Sequence, residues 1–315
     1  MKVYTNFDEL GTIKNPVLTI GTFDGVHVGH QKILQKIKQE ATKIGGETVL
    51  FTFFPHPRLV LNPNDNSLRL IQTLDEKKAV LENSGLDHLI LFPFTTAFSQ
   101  VTAQDFIQNF LVEKLRVKVI VVGYDHRFGK GREGNLAFLQ QYSSEFGYKV
   151  IEIPAQEIEE VNVSSTRIRK AILSGDIETA NAYLSDKFSL TGKVIKGKQL
   201  GRTLGYPTAN IDVVDTLKII PAIGIYVVKV KFENGTIYKG MMSIGKNPTV
   251  TDTETLKLEV HLFDFSGDLY GHNITVQFLK YLRNEVKFSS IEQLKTQLDE
   301  DKKHSLDFFA LDSVQ

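Results

Sequence analysis

Val17-Leu18-Thr19-Ile20-Gly21-Thr22-Phe23-Asp24-Gly25-Val26-His27-Val28-Gly29-His30 decides the fold of the first half of this 315-residue chain. Val17–Ile20 is a short apolar run, as in a strand covered on both faces. Ile33, Leu34, Ile37, Ala41 and Ile44 then recur at helical spacing until Gly45-Gly46 stops them. In an open parallel sheet the ligand sits beyond the carboxyl ends of the strands, where this strand-to-helix turn lies. Gly21, Gly25 and Gly29 let backbone come close to such a ligand. The free N–H groups and positive dipole end of the helix suit phosphate. His27 and His30, at the start of that helix, can donate to phosphate oxygens as charge develops on them.

The texture on either side extends this reading. Thr48–Phe53 is β-rich, and a helix follows from about Leu74, boxed by Thr73 and Glu76 and ended by Gly85. His88–Phe92 reads as a strand, Thr102 as the cap of a helix reaching Arg116, and Val117–Gly123 as a buried strand. Asn135–Phe146 is helical, Tyr148–Ile153 extended, and Ser165–Leu184 a helical pair. Strand and helix in alternation predict a parallel sheet with helices on both faces. From about residue 185 short β-rich runs replace the helices. Ile225–Phe232, Asn234-Gly235 and Thr236–Met242 predict a hairpin with a primed turn. Thr255–Phe263 alternates, with Leu256, Leu258, Val260 and Leu262 opposite Lys257, Glu259, His261 and Phe263. Asn273–Leu279 is a further strand; Ile291–Asp299 and the segment after Asp301 are the helical part. This half is expected to be a small antiparallel barrel with a C-terminal helix. The boundary falls within Ser185–Ser189, giving domains 1–184 and 185–315.

Lys plus Arg and Asp plus Glu both number 37, so no nucleic-acid or membrane-surface partner is expected. The absence of cysteine excludes disulfides, thiolate nucleophiles and cysteine metal sites. The first residues lack an apolar signal core and no window holds 18 apolar residues, so a soluble, cytoplasmic protein is expected. Two glycine strings mislead. Gly129, Gly131 and Gly134 fit GxGxxG with Glu152 downstream, but they follow the fourth strand, not the first. Gly192–Lys198 approximates a P-loop, yet Gln199 stands where a hydroxyl should bind the metal, and strands follow.

His27-Val28-Gly29-His30 resembles the HxGH signature of nucleotidyltransferases. With Phe53-Phe54-Pro55-His56-Pro57 and Val163-Ser164-Ser165-Thr166-Arg167-Ile168-Arg169 the first half resembles bacterial FAD synthetases. In the second half Gly201-Arg202-Thr203-Leu204-Gly205-Tyr206-Pro207-Thr208-Ala209-Asn210 resembles the riboflavin kinase signature, and the segment around Glu259 resembles the one carrying that family's general base. Nearly the whole chain is thus similar to the bifunctional riboflavin kinase/FMN adenylyltransferase family. The resemblance implies a Rossmann-like α/β nucleotidyltransferase domain followed by a β-barrel kinase domain. Its substrates would be ATP, riboflavin and FMN, with Mg²⁺ as cofactor. It implies catalytic roles for His27, His30, Arg169 and Glu259. ATP would lie on Gly21, Phe23, Asp24, Gly29, Ser164, Ser165 and Thr166 in one domain and on Gly201, Gly205 and Pro207 in the other. Flavin would meet His56, Asp125, Phe128 and Arg283.

The residue chemistry agrees. Ser164 or Ser165 can cap the helix that follows, and its hydroxyls, amides and Arg169 make a phosphate clamp. The Thr208 hydroxyl and Asn210 amide oxygen are hard ligands of the kind Mg²⁺ takes beside phosphate. Glu259 can accept a hydroxyl proton. Two other readings stand: an adenylyltransferase for a different phosphorylated cofactor precursor, and an inactive flavin-binding sensor. The chain is expected to act as a monomer or weak homo-oligomer.

Overall fold

A computed structural model describes residues 1–155, 163–197, 201, 204–246 and 256–312. The chain forms two compact units, Met1–Ser165 and Thr166–Gln315. Lys198, Gln199, Arg202, Thr203 and Thr255, which figure in the motifs above, lie outside the described residues.

In the first unit β1 (Lys2–Tyr4), β2 (Val17–Ile20), β3 (Thr48–Phe54), β4 (His88–Pro93), β5 (Val119–Gly123) and β6 (Lys149–Ile153) form one parallel sheet ordered β1-β4-β3-β2-β5-β6. The chain adds strands on one side of β2, then crosses to place β5 on its other side. The carboxyl ends of β2 and β5 therefore bound the topological switch point, the crevice where such sheets bind ligand. Helices cover both faces, as the alternation predicts. Along β3 the side chains divide strictly: Val49 and Phe51 join one core, Leu50 the other.

Local signals set the helix ends. α1 (Val28–Ile44) stops where Gly45 takes a left-handed φ of 58°. α2 spans Pro57–Leu61, and α3 (Leu74–Asn83) carries the expected Thr73/Glu76 capping box. The helix expected from Thr102 to Arg116 differs: a turn of α-helix, α4 (Ala103–Asp105), continues as a π-helix over Phe106–Lys114. There Phe106 and Phe110 stack at 5.7 Å within a group that includes Phe7, Phe51, Phe92 and Phe98. Aromatic packing outweighs regular α-helical bonding in this stretch. α5 spans Leu136–Phe146, and α6 (Ser165–Ser174) begins at the last residue of the unit.

The second unit holds α7 (Ile177–Tyr183) and a closed antiparallel barrel. Its strands are β7 (Ser189–Ile195), β8 (Ala209–Asp212), β9 (Gly224–Phe232), β10 (Ile237–Lys246), β11 (Leu256–Leu262) and β12 (Asn273–Arg283), ordered β10-β11-β8-β7-β12-β9. The buried Asn181 side chain donates to Phe278 O at 2.8 Å and accepts from Phe188 N at 2.7 Å, tying α7 to barrel strands. The β9–β10 hairpin is not primed. Gly235 alone in the turn has positive φ, at 85°, and Phe232 pairs with Thr236, which makes a three-residue loop ending in a glycine bulge. The C-terminal helix α8 runs unbroken from Ile291 to Asp312. Asp301 and Ser305 within it are buried and satisfied: Asp301 pairs with Arg283, and Ser305 donates to Asp301 O at 2.8 Å.

Candidate active sites

The first site grows from the loop joining β2 to α1. Phe23 and Val26 hold positive φ values of 49° and 33°, so the surroundings over-determine a strained turn. Several bonds do this. The buried Asp24 carboxylate accepts from Ile71 N at 3.0 Å and Gln72 N at 3.3 Å. The Ser165 hydroxyl donates to Asp24 O at 2.9 Å, and Lys77 Nζ donates to Thr22 O at 3.0 Å. Phe23 is buried in the core beneath. Asp24, expected to touch ATP, thus spends its carboxylate on backbone amides and shapes the cradle.

His27 caps α1, its Nδ1 accepting from His30 N at 3.3 Å. That bond leaves the proton of the neutral ring on Nε2. The His30 ring lies between Phe23, 4.3 Å away, and His27, 3.7 Å away, in a nearly parallel stack. Gly29 leaves room here: a Cβ would stand 3.2 Å from the His27 ring, which would have to shift. Burial lowers the His27 pKa to about 4, with Asp24 opposing the fall. Burial also pushes His30 well down, aided by His27 and Lys77. At neutral pH the free site therefore holds two neutral imidazoles, hydrogen-bond donors rather than cations. Ser164 and Ser165 precede the body of α6, which carries Thr166 and Arg169.

The loop after β5 borders the same switch point. Phe128 is buried against Phe106, with His126 stacked on it at 5.8 Å, while Asp125 is exposed. Two of the GxGxxG glycines serve packing: a Cβ on Gly129 would lie 2.7 Å from Ala103 backbone, and one on Gly134 2.7 Å from the Phe128 ring; Gly131 instead takes a φ of 60° in open space. His56 caps α2, accepting from Arg58 N at 3.2 Å. Sequence reasoning missed the aromatic group at this end of the sheet: half-buried Phe53, Phe92, Phe94 and Phe98 in mutual contact, with Phe54 exposed beside them. The signal was there, in Phe51-Thr52-Phe53-Phe54 and Leu91-Phe92-Pro93-Phe94.

The second site sits where β8 and β11 pair. Asn210 and Glu259 are register partners, and the Thr208 hydroxyl donates to Glu259 Oε1 at 3.3 Å. Lys257 Nζ lies 2.7 Å from Glu259 Oε2. Gly197, just past β7, passes so close that a Cβ would overlap the Asn210 amide; a Cβ on Gly201 would overlap Tyr206 O. Gly205 turns at a φ of 83°. Tyr206 and Pro207 are held from two sides: the Tyr206 hydroxyl donates to Asp299, and His261 Nδ1 donates to Pro207 O at 2.8 Å. His261 is thus a buried neighbour that holds the turn. Arg283 is committed elsewhere. Its guanidinium grips the buried Asp301 carboxylate through Nε at 2.7 Å and Nη2 at 2.6 Å, and Nη1 donates to Asn284 O. These bonds anchor α8. Among the described residues no group of three His, Cys, Asp or Glu side chains could hold a metal ion. A divalent cation here would rest on Thr208 and Asn210 oxygens together with substrate phosphates, a donor set that suits a hard ion.

Comparison with known proteins matches residues 11–167 to the FAD synthetase family and residues 184–309 to the riboflavin kinase family. The chain is 38% identical to the bifunctional riboflavin kinase/FMN adenylyltransferase of Listeria monocytogenes over 94% of its own length and 93% of the relative's. The protein of that name from Haemophilus influenzae is also 38% identical, over 93% and 94%. So is the one from Escherichia coli, over 94% and 93%. A crystal structure from Streptococcus pneumoniae described as a macrolide-efflux protein is 35% identical, with a TM-score of 0.88, covering 96% of this chain and 98% of the other. Among the described residues here, no helix is long and apolar enough to cross a membrane.

Proposed function

Because the chain belongs to the bifunctional riboflavin kinase/FMN adenylyltransferase family, it carries both transferase activities, and we propose how its residues divide them. The observation that carries the assignment is the meeting of Thr208, Asn210 and Glu259 on paired strands.

Residues 185–315 phosphorylate riboflavin. Glu259 accepts the proton of the 5′-hydroxyl while that oxygen attacks the γ-phosphorus of ATP and ADP leaves. Gly197, Gly201 and Gly205 let backbone close over the phosphates, and Pro207 sets the turn that presents Thr208. Thr208 and Asn210 hold Mg²⁺, which when bound neutralises charge on the transferring phosphates.

Residues 1–184 adenylylate FMN. An FMN phosphate oxygen attacks the α-phosphorus of ATP, and pyrophosphate leaves. The nucleophile is already an anion, so the site needs no base; it aligns two polyanions and steadies the charge that moves. His27 donates through Nε2. His30, Gly21, Gly29, Ser164, Ser165, Thr166 and Arg169 complete the phosphate contacts, and Phe23 and Asp24 hold their shape. His56, Asp125, Phe128 and the Phe53–Phe98 aromatic group form the flavin side, since flat apolar rings suit an isoalloxazine face. We place the protein in the cytoplasm, as a monomer or weak homo-oligomer working on small molecules alone.

The test is a time course with riboflavin, ATP and Mg²⁺, resolved by chromatography. FMN should appear first and FAD after it, with both halted by chelation and restored by Mg²⁺. Release of neither product defeats the reading; restoration by Mn²⁺ but not Mg²⁺ defeats the metal assignment.

A further inference from the structure

Lys77 has no task in this scheme, yet it stands in the first cradle. It lies in α3, just past the capping box, and sends Nζ to the carbonyl of Thr22, between Gly21 and Phe23. Burial lowers its pKa, and Asp24 pulls the other way. It is close enough to His30 to depress that imidazole as well. His30 Nδ1 is buried without a hydrogen-bond partner. The titratable groups shown to act on or feel this ammonium are Asp24 and His30. Asp24 is the carboxylate among them, and backbone amides already bind it.

Placing an ammonium here is costly, because burial disfavours the charged form. A neutral donor would hold a carbonyl equally well. An ammonium has three N–H groups, and the bond to Thr22 uses one. A cation near His30, beside the loop that joins β2 to α1, gains its full value when an anion arrives. We propose that Lys77 is a further polyphosphate ligand of the adenylyl-transfer site, aimed by the Thr22 carbonyl and bringing a positive charge to the phosphates. This rests on the reading of the first unit as the adenylyltransferase.

Three full-length variants separate charge from scaffolding. Lys77→Arg keeps donor and charge, Lys77→Gln keeps a donor alone, and Lys77→Met keeps neither. FAD formation from supplied FMN and ATP is measured against riboflavin phosphorylation by the same protein. Lys77→Gln and Lys77→Met should each lose about tenfold or more in kcat/KM for ATP in FAD formation. Lys77→Arg should recover most of it, and riboflavin phosphorylation should stay within about twofold throughout. His30 should titrate at higher pH in Lys77→Met than in the parent, followed by imidazole NMR, since the opposing charge is gone. Parent-like FAD formation by Lys77→Gln reduces Lys77 to a loop anchor and overturns the proposal, as does parent-like activity of all three. If Lys77→Met does not fold, the Arg and Gln variants decide alone. A parent enzyme that makes FMN but no FAD defeats the underlying assignment instead.

Discussion

The Thr208 hydroxyl donates to the Glu259 carboxylate at 3.3 Å, although 51 residues of chain lie between them. The antiparallel pairing of β8 with β11 brings the expected metal-binding residues and the expected base onto one patch of barrel. Glu259→Gln keeps an acceptor for Thr208 and removes the base. Riboflavin phosphorylation should fall by about a hundredfold or more, while FAD formation from supplied FMN continues. Parallel loss of both activities would contradict the assignment.

Gly197→Ala tests the close approach of the glycine strand to the metal patch. A Cβ there overlaps the Asn210 amide, so backbone or Asn210 must move. The KM for ATP in the kinase reaction should rise at least about tenfold, because a displacement of roughly an ångström at a reacting centre has that effect. Stability measured by urea unfolding should change little. An unaltered KM would place ATP elsewhere.

Acid should loosen the first unit through His27. Its folded pKa, about 4, lies below the unfolded value of 6.5, so the unfolded chain binds the proton more readily. The stability contribution is complete above pH 6.5 and is lost as pH falls toward 4, amounting to roughly 3 kcal/mol. His30 acts in the same direction. The chain has no tryptophan, so circular dichroism is the convenient probe. Urea midpoints should drop steadily from pH 7 to pH 4.5 in the parent and less steeply in His27→Gln. A level profile in the parent refutes the buried neutral histidines.

Arg283 distinguishes anchoring from flavin binding. Arg283→Met strands the buried Asp301 carboxylate and should cost about 3–5 kcal/mol of second-unit stability. Adding Asp301→Leu should restore most of that, because the pair is then removed together. If Arg283→Met instead raises the KM for riboflavin at unchanged stability, the guanidinium serves the flavin after all.

Most of the strands and helices, both glycine-rich strings, the His27–His30 pair and the alternation through Glu259 were legible in the chain alone, though β1, β7 and β8 were not. Each is a local pattern, set by backbone freedom or side-chain period within a few residues. The π-helix over Phe106–Lys114 was not legible, since it depends on aromatic partners from Phe7 to Phe92. Nor was the attachment of α7 to the barrel through Asn181, the engagement of Arg283 with Asp301, or the arrival of Lys77 at Thr22. The same distance in sequence hid the protonation of the histidines. A histidine's neighbours in sequence show that it can bind phosphate; only the packing that strips water from its ring decides whether it waits there charged or neutral.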